Sequence, residues 1–112
     1  MVGKGEVYCI NLQEKKGTSV KAFARPAVVV QDDLGNKSSP VTVVVVATRT
    51  IREKIYPWDV VVSEDCCLDV PCRIMCNQIL TIPQSELSDK IGKLPYSIMK
   101  KVDDAIRINL GL

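Results

Sequence analysis

The stretch Ala24-Arg25-Pro26-Ala27-Val28-Val29-Val30-Gln31 (ARPAVVVQ) decides the fold. The alanine and three valines after the proline are typical of a strand that is buried on both faces. A second run of this kind, Val41–Thr48 (VTVVVVAT), follows a segment rich in turn formers, Asp32–Pro40. The two runs together predict an antiparallel pair of strands in the core of a sheet.

The position of Arg25 follows from the expected pairing of these runs. The connecting segment is centred between Asn36 and Lys37, so paired residue numbers should sum to 73 and Arg25 should face Thr48 at the rim of the sheet. Pro26 keeps Arg25 extended and offers no hydrogen to the ladder, which suits a strand start or edge. Such an arginine fits a phosphate. An ion pair of Arg25 with Asp59 or another carboxylate is the alternative.

The remaining pattern predicts a mostly β domain, residues 1–112, with C-terminal helices. β-branched and apolar runs predict strands at Val7–Leu12 and Asp59–Ser63, and one or two more within 72–82. We expect a mixed loop at 15–24, a short helix at 83–93 and a longer helix at Tyr96–Leu110. In the longer helix, apolar residues four apart form a stripe facing the core: Ile98, Val102, Ile106 and Leu110, widened by Met99 and Ala105. Five or six short strands favour a strongly coiled sheet or a closed barrel.

Positive charge is concentrated in one half of the chain. Residues 1–56 contain nine Lys and Arg against five Asp and Glu, whereas residues 57–112 contain six against eight. This distribution indicates a surface that faces a polyanion, although solvated loop charge explains it equally well. With no secretory segment and no apolar run long enough to span a bilayer, we expect a cytoplasmic protein without a membrane partner.

The five cysteines do not resemble a metal site. The sequence has no histidine, two of the cysteines are adjacent, and no CxxC pair occurs, so we expect no zinc site. An odd number also argues against a disulfide framework. The cysteines, which we interpret as small buried or loop residues, are Cys9, Cys66, Cys67, Cys72 and Cys76.

Several segments in order resemble the MazF/PemK family of toxin endoribonucleases. The most specific is Arg25–Gln31 followed by Asp33 and Asn36. The others are Gly5–Tyr8 (GEVY), Tyr56–Val62 (YPWDVVV), Asn77–Ile82 (NQILTI) and the C-terminal Leu110–Leu112 (LGL). Each segment alone is a weak signal, whereas their common order and spacing are specific.

The resemblance implies a fold, an activity and two partners. The fold is a small SH3-like β-barrel of the MazF/PemK (CcdB-like) toxin type, assembled as a homodimer. The activity is cleavage of single-stranded RNA, usually mRNA, at a short preferred sequence, and the protein partner is a cognate antitoxin. The catalytic arginine of the family falls on Arg25 and its catalytic threonine on Thr48, the two residues that the pairing argument also brings together.

The residues available agree with that chemistry. Cleavage through the 2′-hydroxyl requires stabilisation of charge on the phosphorane and movement of protons. A histidine pair is excluded, and carboxylates for a two-metal site are few near this rim. We therefore assign charge stabilisation to Arg25 and a phosphate hydrogen bond to Thr48, with no metal and no cofactor.

One loop departs from the family pattern. Family members commonly have Gly-Ser-Glu-Gln before the Arg-Pro pair, whereas here Val20 occupies the expected position of the glutamate. Either another group positions the 2′-hydroxyl or the activity is reduced. Phe23, in the same loop, stacks on a base or pins the loop to the core.

Further residues are candidates for RNA contact. Gln78 either contacts RNA or stabilises the barrel by a hydrogen bond, and the cations after the catalytic strand either hold phosphates or are solvated. The RNA-binding candidates are Lys21, Phe23, Arg49, Thr50, Arg52 and Gln78. Two alternative functions use the same fold: a poison of a protein target such as gyrase, and a weakened member that only binds.

Overall fold

A computed structural model describes residues 2–12, 23–63, 68 and 70–112, with only the backbone of Leu12 and Phe23. Nine elements follow one another along the chain: β1 (Glu6–Leu12), β2 (Phe23–Val29), α1 (Asp33–Ser38), β3 (Val41–Thr48), β4 (Asp59–Val62), β5 (Cys72–Pro83), a 3₁₀ turn (Gln84–Glu86), β6 (Lys90–Lys93) and α2 (Tyr96–Leu110). None of the helices in these residues has the length and apolar character needed to cross a membrane.

The strands form one antiparallel sheet in the order β4-β5-β3-β2-β1-β6. In the central pair, Val28 lies opposite Val45 and Val29 opposite Val44, so the residue numbers sum to 73 as predicted. The expected mostly β architecture is therefore confirmed, and the register that brings Arg25 toward Thr48 is confirmed for the paired part of the hairpin.

The valine-rich strands are buried on both faces of the sheet, which explains their composition. Val28, Val45 and Ala47 belong to a larger core that includes residues of α2. Their neighbours in the strands point the other way, into a second core. The second core consists of Ala27, Val29, Val44, Val46, Ile10 and Met75.

The C-terminal helix has the predicted limits, and its buried face is the predicted stripe except at Leu110. Met99, Val102 and Ala105 are buried against the sheet, whereas Leu110, which we expected in the core stripe, is more than half exposed. The helix ends at Gly111, which adopts a left-handed φ of 72°, and the amide of Leu112 donates back to the carbonyl of Arg107. Leu110 is the last residue of the helix before this cap.

Three predicted segments differ in the structure. The mixed loop expected at 15–24 overlaps β2, which already includes Phe23 and Ala24. The connection 32–40 contains the short helix α1, which is capped by Asp32, whose side chain accepts a hydrogen bond from the amide of Leu34. Within α1, the buried Asn36 accepts from the Thr42 hydroxyl (2.7 Å) and donates to the carbonyl of Gln31 (3.0 Å). This network joins α1 to β3 and to the segment that follows β2.

The prediction of a helix at 83–93 is wrong. Only Gln84–Glu86 form a 3₁₀ turn, and Lys90–Lys93 form β6, which pairs with β1. Pairing with the open edge of β1 outweighs local propensity here, and an ion pair between Lys90 and Glu6 joins the two strands. Burial alone raises the pKa of Glu6, but its bonds to Lys90 and to the amide of Gly3 outweigh burial and hold that pKa below its ordinary value.

Candidate active site

The hydrogen-bonded ladder between β2 and β3 opens at one end into a pocket. Pairing between β2 and β3 stops at Ala27 and Val46, two residues before Arg25 and Thr48. Between the open ends lies a cavity of about 470 Å³, which we call the rim pocket. It is lined by Cys9, Ala24, Arg25, Pro26, Ala47, Thr48, Arg49, Thr50 and Ile91.

Pro26 accounts for the place where the ladder ends. Its partner on β1 is Cys9, whose backbone groups bond instead to Ser88 and Asp89, so the nitrogen of Pro26 is directed toward β3. Continuation of the register would place Ala47 opposite Pro26 and would require an N–H that proline lacks. The strands can therefore part at this position without leaving a donor of residue 26 unpaired.

Arg25 and Thr48 both line the rim pocket, so the structure brings the two predicted catalytic residues together. Arg25 is partly buried on β2, opposite Ile10 of β1. Burial lowers the pKa of Arg25, and the positive charge of Arg73 lowers that pKa further. The pocket is thus bordered by a residue whose cation is partly shielded from water.

Thr48 ends β3 and is 8% exposed. Its Oγ1 accepts a hydrogen bond from the amide of Thr50 (3.2 Å), which turns the chain directly after the strand. One lone pair of the hydroxyl is occupied by this bond, and its hydrogen remains available to donate to a ligand in the pocket.

A buried ion pair that sequence reasoning missed lies next to Thr48. Arg73 on β5 is the ladder partner of Thr48, and its Nη1 lies 3.1 Å from Oδ1 of Asp59. The side chains of Arg73 and Asp59 are 6% and 0% exposed. Asp59, named above as a possible partner of Arg25, is thus engaged by Arg73 and also accepts from the amide of Tyr56 (3.0 Å).

The remaining predicted RNA-contact residues divide into three groups. Arg49 and Thr50 are exposed and line the rim pocket. Arg52 and Gln78 are exposed but do not line it, and Gln78 donates to the sulfur of Met75 (3.5 Å), close to the irregularity in the β3–β5 ladder. The candidates Lys21 and the side chain of Phe23 lie outside the described residues, as does Val20.

The described cysteines are free thiols. Cys72 and Cys76 are buried, and burial, followed by the charges of Asp59 and Asp103, raises the pKa of Cys76 to about 12. Among the described residues, no group of three or more histidine, cysteine, aspartate or glutamate side chains could hold a metal ion. Cys66 and Cys67 lie outside those residues.

Comparison with known proteins assigns a family to this chain. The profile of the PemK-like, MazF-like toxins of type II toxin–antitoxin systems matches residues 3–110. The chain belongs to this family. The Endoribonuclease MazF of Staphylococcus saprophyticus subsp. saprophyticus is 35% identical over 113 residues, which is 100% of this chain and 93% of that protein.

Solved structures of the same fold include members of the MazF family. A mycobacterial endoribonuclease in complex with its cognate antitoxin superposes with a TM-score of 0.84 at 25% identity, covering 100% of this chain and 97% of the other. A MazE–MazF structure from Deinococcus radiodurans gives a TM-score of 0.79 at 15% identity, over 99% and 97% of the two chains, and shows the fold alone. The predicted toxin-type β-fold is therefore confirmed.

Proposed function

We propose that this toxin is a metal-independent endoribonuclease that cleaves single-stranded RNA at a limited set of sequences through the 2′-hydroxyl. The observation that carries the proposal is the rim pocket, in which Arg25 and Thr48 lie together at an open end of the sheet. Family membership and the 35% identical endoribonuclease support the reaction class.

Each of the two residues has a role that its surroundings allow. The 2′-hydroxyl loses its proton to water as its oxygen attacks the adjacent phosphorus, and the bond from phosphorus to the 5′-oxygen breaks. The 5′-oxygen takes up a proton from water, so the products are a 2′,3′-cyclic phosphate and a 5′-hydroxyl. Arg25 stabilises the negative charge that builds on the phosphorane oxygens, because its guanidinium stays cationic at neutral pH. Thr48 donates its hydroxyl hydrogen to a phosphate oxygen while its own oxygen is held by Thr50.

The partners are proposed on the same basis. A mycobacterial relative is seen with its cognate antitoxin, and we infer that an antitoxin also neutralises this chain by covering the rim pocket. We further propose a homodimer in the cytoplasm. Arg49 and Thr50, which border the rim pocket, are the best placed of the described RNA-contact candidates, whereas direct contact by Arg52 or Gln78 would require the RNA to extend beyond it.

The test is incubation of the purified protein with a long single-stranded RNA in excess EDTA. We expect discrete fragments that end in 2′,3′-cyclic phosphates. Arg25→Ala and Thr48→Val should each reduce the rate, the former by about 100-fold or more. Arg107→Ala, which removes an exposed arginine of α2 outside the rim pocket, is the matched control and should cut at the parental rate.

Three results would contradict the proposal. Intact RNA with the parental protein would favour a chain that only binds or that poisons a protein target. Cleavage only after addition of a divalent metal ion would refute metal independence. Unchanged cleavage by Arg25→Ala would refute the assignment of Arg25.

A further inference from the structure

The ion pair of Arg73 with Asp59, beside the rim pocket, is held in place by further hydrogen bonds. Asp59 receives hydrogen bonds from Arg73 Nη1 (3.1 Å) and from the amide of Tyr56 (3.0 Å), one on each carboxylate oxygen. Charged side chains this deeply buried are kept only when they are paired and hydrogen-bonded. The guanidinium of Arg73 therefore has a fixed position, set by a carboxylate that is itself fixed.

From that position Arg73 reaches the turn that carries Thr48. Its Nε donates to the carbonyl of Thr50 (3.1 Å), while the amide of Thr50 donates to Thr48 Oγ1 (3.2 Å). Both backbone groups of Thr50 are thus engaged. Because β3 ends at Thr48, this turn lies beyond the ladder, and the bond from Arg73 ties its far end to β5.

Arg73 also belongs to the same row of the sheet as the proposed catalytic pair. It lies opposite Thr48 in the β3–β5 ladder, and continuation of the β2–β3 register places Arg25 on the other side of Thr48. The charge of Arg73 is close enough to Arg25 to add to the effect of burial in lowering the pKa of Arg25. The two arginines therefore occupy positions on either side of Thr48 in one row of the sheet.

We propose that Arg73 is a positioning residue for RNA cleavage: it fixes the turn formed by Thr48, Arg49 and Thr50, so that the Thr48 hydroxyl meets the phosphate held by Arg25. This inference rests on the proposed function. Arg73 acts through Thr50 and Thr48 and itself stays beneath the surface that RNA contacts. Loss of its geometry should slow the reaction step more than it weakens RNA binding.

The test compares Arg73→Lys with Ile74→Val. Lysine keeps the positive charge beside Asp59 but offers one ammonium group, which cannot reproduce the planar fork that joins Asp59 to Thr50. Ile74, the next residue on β5, points into the opposite core, so its truncation perturbs packing without touching Thr50. The double substitution Asp59→Asn with Arg73→Gln, a neutral pair, serves if Arg73→Lys does not fold.

The measurements are kcat and KM on a short RNA with one cleavage site, and hydrogen exchange of the Thr50 amide. For Arg73→Lys we expect kcat to fall by about tenfold or more with KM changed by less than about threefold. Exchange at Thr50 should accelerate in parallel, since a released turn opens more often. Ile74→Val should leave kcat and the exchange of Thr50 at their parental values.

The outcomes separate the inference from the proposed function. If the parental protein cuts RNA and Arg73→Lys has parental kcat, the positioning role is overturned and the proposed function stands. An equal fall of kcat in Ile74→Val also overturns it, because general destabilisation would then explain the loss. If the parental protein leaves the RNA intact, the proposed function fails and the inference fails with it.

Discussion

Two ion pairs of equal length but different burial allow a direct test of what burial does to a charge pair in this fold. Arg73 and Asp59 lie 3.1 Å apart with side chains that are 6% and 0% exposed. Lys4 and Asp103 also lie 3.1 Å apart, but their side chains are 35% and 37% exposed. The perturbation is the same in each pair: Asp59→Ala and Asp103→Ala each remove the carboxylate.

The expected losses differ because the partner left behind is solvated in one case and buried in the other. Removal of Asp59 leaves the Arg73 guanidinium short of its counter-charge in the protein interior, which costs about 3–5 kcal/mol of unfolding free energy. Removal of Asp103 leaves Lys4 in contact with water and costs about 0–1 kcal/mol. For a domain of this size, with total stability of about 6–17 kcal/mol, only the first loss is a large fraction.

Urea unfolding at one fixed protein concentration measures both losses. A concentration well above that at which subunits separate keeps any dimer contribution constant. Addition of about 1 M NaCl should remove most of the effect of Asp103→Ala and little of that of Asp59→Ala, since buried pairs are poorly screened. The double substitution Asp59→Leu with Arg73→Met should recover most of the stability lost in Asp59→Ala. Similar losses for the two single variants would refute the argument from burial.

Four further predictions concern the exposed Arg49 and Arg52, the buried Asn36, the buried Cys76 and the carboxylate of Glu6. In RNA-binding titrations, the plot of log affinity against log salt should become less steep by about 0.7 in Arg49→Ala. Arg52→Ala, outside the rim pocket, should leave the slope unchanged. Equal changes in the two variants would contradict RNA binding at the rim pocket. Asn36→Ala should lower the unfolding free energy by about 2–3 kcal/mol in urea titration, because buried polar groups of the central hairpin lose their partner. Cys76, with a pKa of about 12, should resist iodoacetamide at about pH 8 until the chain is unfolded, as judged by peptide mass spectrometry. The pKa of Glu6 is held below its ordinary value of about 4.5. Its contribution to stability is therefore fully present above a pH of about 4.5 and is lost as the pH falls through the lowered pKa. The difference in melting temperature between the parent and Glu6→Gln should close over that range of pH.

The central hairpin could be predicted from sequence because two independent features agree there. The β-branched runs specify strands buried on both faces, and the turn formers between them are centred so that the register is fixed. The short helix α1 occupies the connection without changing that register, since Asn36 ties it to β3 and to the segment that follows β2. By contrast, β6 carries no local strand signal, and its pairing with β1 depends on residues from the other end of the chain.

The candidate site likewise has one part that the sequence could predict and one that it could not. Arg25 and Thr48 could be placed together by counting from the turn, and the structure brings both to the rim pocket. Arg73 was missed because an isolated arginine next to apolar residues in a strand is more often an exposed charge than a buried one. Its role depends on Asp59, a residue of a separate strand, and no local pattern specifies which cation that carboxylate will bind.

Pro26 connects the core of this protein to its proposed chemistry. The ladder of valines makes β2 and β3 rigid, and a residue able to donate at position 26 would extend their pairing toward Arg25 and Thr48 and narrow the pocket. Proline ends the ladder there while it keeps the strand extended. Arg25 therefore lies two residues beyond the last β2–β3 pair and is still held by its pairing with Ile10 of β1, while its β3 side is open to a ligand. A site built in this way needs few flexible parts, which is consistent with the proposal that Arg25 and Thr48 act by charge and a single hydrogen bond.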